Sequence, residues 1–314
     1  MLLALGYVIL GLILLTFGAE GLVRSGISFA LRMGVTPLVI GLTIVAAGTG
    51  SPELVVSVQA AIEGNSGLSL GNIVGSNISN TMLILGCAAL IHPIHAKSEV
   101  VRREMPVMTL ASGVLWLMML DGSIGRIDGV ILLCGSIAYT TTIYILAKRS
   151  KSKDIEEEFA EGVEDTTDSI WMDLVYFVGG LAILVIGAKL LIDGAVTVAG
   201  IIGVSDVVIG LSVIAIGTSL PELATSAMAS IRKESDLALG NAIGSNIVNI
   251  LVILGITAIV TPISALQIRS FDMGVLLASS MLLWALLGFR FVLDRFEGGL
   301  LLLGYAAYIY TLVP

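Results

Sequence analysis

Glu53 and Glu222 each follow a proline inside a long apolar stretch, in "AAGTGSPELVVSVQAAI" (46–62) and "AIGTSLPELATSAMASI" (215–231). A lone carboxylate at such a depth costs at least about 2.5–3.5 kcal/mol by the lower insertion estimates, so accepting it twice points to function. Proline removes one backbone donor and clashes with the carbonyl four residues back. Pro52 thereby frees the carbonyl of Gly48, and Pro221 that of Gly217. Both helices are expected to be broken or unwound at the shared G-T-x-x-P-E stretch. Bare carbonyls cannot face lipid, so each break must be buried in protein or line a wet cavity. Freed carbonyls beside a carboxylate make a hard oxygen cage, the chemistry that suits Ca2+ or Na+. The competing account is structural: Ser51 as N-cap, Pro52 at the first helical position, and Glu53 at the positive end of the helix dipole. The position of both glutamates well inside apolar sequence favours the functional account.

The segment after each Pro-Glu stretch supplies candidate partners. Asn72, Ser76 and Asn80 lie at i, i+4 and i+8 and so share one helix face. Asn241, Ser245 and Asn249 repeat that face. Together with Gly75 and Gly244 they could serve as interhelical glue alone. Their copy-for-copy match to the Pro-Glu helices argues for a shared site. Asn77 and Asn246 point off this face. His92 and His95, in "LIHPIHAK", read as an exposed turn rather than a metal or pH-sensing site. Cys87 and Cys134 are single and far apart in apolar runs, which points to packing and suggests neither disulfide nor metal.

The elements that position these residues must be membrane helices. The chain has 314 residues, is 56% hydrophobic and 13% charged, and has a mean hydropathy of +1.02; a soluble domain carries roughly 25% charged residues. Apolar segments recur at roughly 3–31, 36–62, 68–91, 104–120, 127–147, 170–200, 205–231, 237–260, 271–289 and 298–313. Each is long enough to be read as a crossing of a hydrocarbon core about 30 Å thick. The first reads as a retained helix rather than a cleaved signal. Eight of the 24 acidic residues fall in 154–168, read as a solvated loop without the spacing of a calcium-binding EF-hand. With the N-terminus outside, the inner connections hold 12 of the 16 basic residues and the outer ones only Arg126 and Arg269. Arg24 and Lys189 lie in the first and sixth helices.

Residues 41–86 align with 210–255 without a gap at an offset of 169, with 24 identities in 46 positions. Five helices per half is an odd number, so the second copy must enter the membrane upside down. The expected fold is an all-α polytopic membrane protein of ten transmembrane helices in two inverted five-helix repeats, with both termini outside. The divisions are 1–148, a charged cytoplasmic loop 149–169, and 170–314. Inverted repeats of this kind mark secondary transporters that bind their cargo near the midplane.

"GTGSPE" and "GTSLPE", each followed by "GN-x-x-GSN-x-x-N", resemble the two α-repeats of the cation/calcium exchanger superfamily, on its sodium/calcium branch. The calcium/proton branch typically has Asn three residues before the Glu, where this chain has Gly50 or Ser219. The resemblance implies long first and sixth helices that slide against the other eight, and four central cation sites. It implies Ca2+ bound by Glu53 and Glu222 with the backbone carbonyls of Thr49 and Thr218. Sodium sites would draw on Ala46, Ser76, Ala215, Ser219 and Ser245, with Asn80 and Asn249 flanking the middle site. Two departures stand out. Gly50 lacks the hydroxyl of its counterpart Ser219, with Ser51 one residue further on, and Asn249 stands where several members have Asp.

The expected function is secondary antiport of Ca2+ against Na+ at the cell membrane, with no enzymatic activity, no cofactor and no nucleic-acid partner. The alternative is Ca2+/H+ exchange on the same two carboxylates. An intramembrane acid–base enzyme lacks a nucleophile, a water-activating metal set and a cofactor motif. A cation channel, lined by the two broken helices, would differ in flux that neither saturates nor needs a counter-ion.

Overall fold

The computed structural model describes residues 1–149, 169–201 and 217–312. Ala215 and the acidic segment 154–168 lie outside the described residues. Helix α1 (Leu2–Met33) is a 32-residue apolar run, stopped by Gly34 in the left-handed conformation (φ 62°). It lies antiparallel on α9 (Ile170–Ile201). Glycines let the two backbones touch: a Cβ on Gly11, Gly18, Gly180, Gly187 or Gly194 would come within 2.9 Å of the facing helix. Phe29 stacks edge-on against Phe177 and Arg32 pairs with the buried Asp173 at 2.5 Å, so the pair is also fastened at one end.

The centre is built from two broken rods. Helices α5 (Ser66–Ser79) and α6 (Leu85–Ile91) are joined by a π-helical turn, Asn80–Ile84. Helices α11 (Ser235–Val248) and α12 (Leu254–Val260) are joined by another, Asn249–Ile253. Their Asn, Ser and Gly content explains why these spans are the most deeply buried: polar side chains in a membrane must face protein. Against them pack the bent helix α2 (Pro37–Ile40), a π turn Gly41–Val45, α3 (Ala46–Thr49) and α4 (Ser51–Ile62), and its counterpart α10 (Leu220–Ile231). Helices α7 (Met105–Met118), α8 (Arg126–Arg149), α13 (Ser270–Arg290) and α14 (Arg295–Tyr310) complete the bundle.

Among the described residues, seven helices are long and apolar enough to cross a membrane. The pair Pro37–Thr49 and Ser51–Ile62, bent by 46°, makes an eighth. The 16 residues of α14 span about 24 Å, short of a full crossing, and α10 belongs to the segment 205–231, which is only partly described. Large apolar side chains such as Leu3, Phe17, Leu117, Ile127, Phe289 and Leu303 point outward from the bundle. A surface of this kind needs lipid as its solvent, and the chain is a mostly helical, multi-pass membrane protein.

Three features were not in the sequence-based expectation. The fourth span begins at Val100, not 104, so Arg102 and Arg103 lie in its first, π-helical turn rather than in a connection. Its Glu104 is fully buried, held by Arg103 (2.6 Å) and the Tyr139 hydroxyl (2.7 Å), which satisfies a carboxylate that the apolar pattern gave no reason to single out. Short strands also occur: β1 (Ile94–His95) pairs antiparallel with β4 (Val292–Leu293), and β2 (Ser123–Ile124) with β3 (Ile263–Ser264). The backbone at these helix ends lacks helical partners and finds them in a neighbouring connection.

Candidate cation site

Gly50 is the pivot of the first Pro-Glu helix. Helix α3 ends at Thr49 and α4 starts at Ser51, with Gly50 between them at φ −76°, ψ 3°. The expected unwinding is thus confined to one residue, and the chain bends rather than unravels. The Gly50 N–H still reaches the Ala46 carbonyl (3.0 Å), and Leu54 N–H the Gly50 carbonyl (3.1 Å), so the hydrogen-bond ladder closes on both sides of Pro52. In the second copy Ser219 stands in the same place, at φ −88°, ψ 7°.

The bend directs Glu53 inward, and Glu222 on α10 matches it; each is 1% exposed. A hydroxyl from the other half of the chain stands beside each carboxylate, Ser219 near Glu53 and Thr49 near Glu222. The two carboxylates stand near enough to repel one another. Among the described residues neither forms an ion pair with Lys or Arg. Desolvating a charge costs several kcal/mol after relaxation, so this pair requires compensation by a bound cation or by protons. No group of three or more His, Cys, Asp and Glu side chains placed to hold a metal ion occurs among the described residues. A cation here would be held by two carboxylates and neutral oxygens.

Those neutral oxygens are present. Asn80 Oδ1, Asn249 Oδ1 and Ser245 Oγ are buried without a hydrogen-bond partner, as are Glu53 Oε2 and Glu222 Oε2. Asn80 and Asn249 each open a π-helical turn, a distortion that recurs at functional sites. Ser76 Oγ lies 3.4 Å from Ser219 Oγ. Its counterpart Ser245 is without such a contact, and Gly50, the counterpart of Ser219, offers no hydroxyl. Ser51 does not replace it: the side chain is exposed and donates to the Ala47 carbonyl (3.1 Å). Ala46 is buried beside the bend, its carbonyl accepting from Gly50 N–H.

Asn72 and Asn241 have a different part. Asn72 Nδ2 donates to Ser57 Oγ (3.0 Å), and its Oδ1 accepts from the Thr218 hydroxyl (3.3 Å). Asn241 Nδ2 donates to Ser226 Oγ (2.9 Å), and its Oδ1 accepts from the Thr49 hydroxyl (3.3 Å). Both amides therefore brace one half of the chain to the other. Ser57 and Ser226, which orient them, were missed; the available signal was their identity at the 169-residue offset. Thr49 and Thr218 enter through their hydroxyls, where only their carbonyls were expected to matter. Asn246 Nδ2 joins the halves elsewhere, donating to Thr81 Oγ1 at 2.8 Å. His92 Nδ1 contacts the neighbouring Pro93 carbonyl, and His95 is exposed in β1, away from the carboxylates.

A family model described as "Sodium/calcium exchanger protein" matches residues 3–145 and 172–313. The chain is 30% identical to "Sodium/calcium exchanger MaX1" of Methanosarcina acetivorans, over 97% of each chain. It is 37% identical to "Inner membrane protein YrbG" of Escherichia coli, over 83% of this chain and 81% of that one. Among solved structures, the sodium-calcium exchanger NCX_Mj soaked with zero Na+ and Ca2+ is similar with a TM-score of 0.85, 34% identity and 99% coverage of both chains.

Proposed function

We propose, from the premise that the chain belongs to the sodium/calcium exchanger protein family, that it is a secondary antiporter exchanging Ca2+ for Na+. The family is one of transporters, not enzymes. The observation that carries this reading is the pair Glu53 and Glu222, both buried, without a basic partner among the described residues and each with an unpartnered carboxylate oxygen. Two negative charges are neutralised by one Ca2+ or by two Na+. The empty site would keep unpaired charge in low dielectric and so resist moving, which enforces exchange over leak. In this assignment Glu53 and Glu222 bind Ca2+ with the carbonyls of Thr49 and Thr218. Ala46, Ser76, Ala215, Ser219 and Ser245 contribute to Na+ sites, with Asn80 and Asn249 beside the middle site.

The same reading takes the chain as two inverted five-helix repeats, 1–148 and 170–314, around a cytoplasmic segment 149–169, with both termini outside. Several observations support it. The two family matches start 169 residues apart. The π turns at Asn80 and Asn249, and strands β1 and β3, recur at that same offset. The strand ladders join connections that the Lys and Arg distribution assigns to one side: β1 with β4 inside, β2 with β3 outside.

The test is Ca2+ uptake by vesicles loaded with Na+ and placed in Na+-free medium. Uptake that collapses when the Na+ gradient is dissipated is expected. Uptake that ignores Na+ and follows a pH gradient would establish proton exchange on the same carboxylates. Flux without a counter-ion would indicate a channel.

The missing hydroxyl makes a second expectation. Gly50 has φ −76°, open to any residue, and an added Cβ would meet the Asn249 Oδ1 at 3.7 Å and the Ala46 carbonyl at 3.1 Å. Gly50→Ser supplies Ser245 with the contact that Ser76 already has. One further neutral oxygen contributes about 0.5–1.5 kcal/mol, so the Na+ concentration that half-inhibits Ca2+ uptake should fall about 2- to 10-fold. An unchanged Na+ dependence would remove Ser245 from the sodium sites.

A further inference from the structure

The charged residues within the two long helices are not among the proposed cation ligands. Beyond the Arg32–Asp173 pair, helix α1 carries Glu20 and Arg24. Helix α9, at the 169-residue offset, carries Lys189 and Asp193, with both signs reversed. Glu20 pairs with Arg24 (2.7 Å) and with Arg232, the residue that ends α10. The residue 169 places before Arg232 is Glu63, which ends α4. A triad of one acid and two bases thus has a counterpart of one base and two acids, every charge inverted and the complementarity kept.

The two triads lie toward opposite faces. The Arg232 end of α10 sits beside β1: Ser230 Oγ donates to the Ala88 carbonyl (2.6 Å), and Lys97 pairs with Asp236 (2.8 Å). The Glu63 end of α4 leads into α5, which packs on β3, with Gly67 against the Gln267 side chain. Their states differ. The Glu20–Arg232 pair is formed. Glu63 instead accepts from Gln59 Nε2 (2.9 Å), and Lys189 forms no ion pair with it among the described residues. Lys189 and Asp193 are exposed and line a cavity of about 200 Å3 with Pro52, Thr218 and Pro221.

We propose that Glu20–Arg232 and Lys189–Glu63 are alternative latches, one closed in each access state of the carrier. The proposal rests on the antiport reading above. Because α1 and α9 are locked backbone to backbone, they move as one body. A shift along the membrane normal that draws Glu20 away from Arg232 carries Lys189 toward Glu63. Exchanging one ion pair for another keeps the two states near balance, whereas a single latch would bias the carrier by its full strength.

Two measurements test this in proteoliposomes. Lys189→Glu leaves like charges at the second latch and should lower Ca2+ exchange about three- to tenfold, the population shift when one exposed attractive pair becomes repulsive. Adding Glu63→Lys restores the complement and should return exchange to within about twofold of the parent. Separately, Glu63→Cys with Lys189→Cys, in a chain carrying Cys87→Ser and Cys134→Ser, should form a cross-link that reductant reverses. Rescue by the swap together with the cross-link supports the latch. A folded double swap without rescue, or no cross-link in a folded protein, overturns it. Cross-linking reads the approach of the two helices without any ion flux. A parent protein that moves no Ca2+ would therefore sink the antiport reading separately.

Discussion

Glu222→Gln is expected to lower Ca2+ exchange on the order of 10²- to 10³-fold while leaving the protein folded. The substitution keeps the shape of the side chain and removes one of two charges facing the divalent ion. Truncating one partner of a buried charge interaction costs about 2–5 kcal/mol, and each 1.4 kcal/mol is about a factor of ten in affinity. Stability supplies a readout independent of transport. Without Ca2+ the parent holds two carboxylates that repel one another, so the variant should melt no lower than the parent. Added Ca2+ should raise the melting temperature of the parent, because a ligand that binds only the folded state stabilises it. It should leave the variant nearly unmoved. Glu53→Gln should behave alike, since it occupies the equivalent position in the other half. A Glu222→Gln protein that exchanges and is stabilised by Ca2+ as the parent is would show that the metal binds elsewhere.

Gly244→Ala is expected to be the most damaging added methyl among the described glycines. A Cβ at Gly244 would stand 2.6 Å from Leu42 Cα, 2.7 Å from its carbonyl oxygen and 2.8 Å from its carbonyl carbon. One turn earlier, a Cβ at Gly240 would stand 2.7 Å from the Leu38 carbonyl. The obstacles are backbone atoms of α2 and its π turn, which cannot swing aside as a side-chain tip would. Overpacking typically costs about 1–3 kcal/mol, and this contact should reach or pass the upper end. Asn241 lies between the two glycines and carries the brace to Thr49, so any relief by helix separation also disturbs the site. Gly274→Ala is the matched control, with nothing within 4 Å of its added Cβ. It should be neutral, or stabilising by up to about 1 kcal/mol. Melting temperature and monodispersity in detergent compare the two. A Gly244→Ala protein as stable as Gly274→Ala would mean that these helices do not approach as closely as described. For Gly75, the equivalent glycine, no described residue comes within 4 Å; the counterpart of Leu42 is Leu211, outside the described residues.

Much of this protein could be read from its sequence because a membrane penalises every polar group it contains. Glu53 and Glu222 were legible as buried carboxylates for that reason, and so were the buried polar faces carrying Asn80 and Asn249. The duplication was legible from identities at one offset, and π turns and strands recur at that offset in the described residues. What the tertiary structure decided is which residues meet across 143 to 192 positions of chain: Thr49 with Asn241, Thr218 with Asn72, Ser76 with Ser219. It decided that Ser245 is left without a partner, that Ser57 and Ser226 hold the braces, and that Glu20 closes on Arg232 while Lys189 stands open. Local periodicity specifies which face of a helix is polar. The partner of that face depends on how the helices dock, and here docking follows from glycines whose missing side chains let backbones touch.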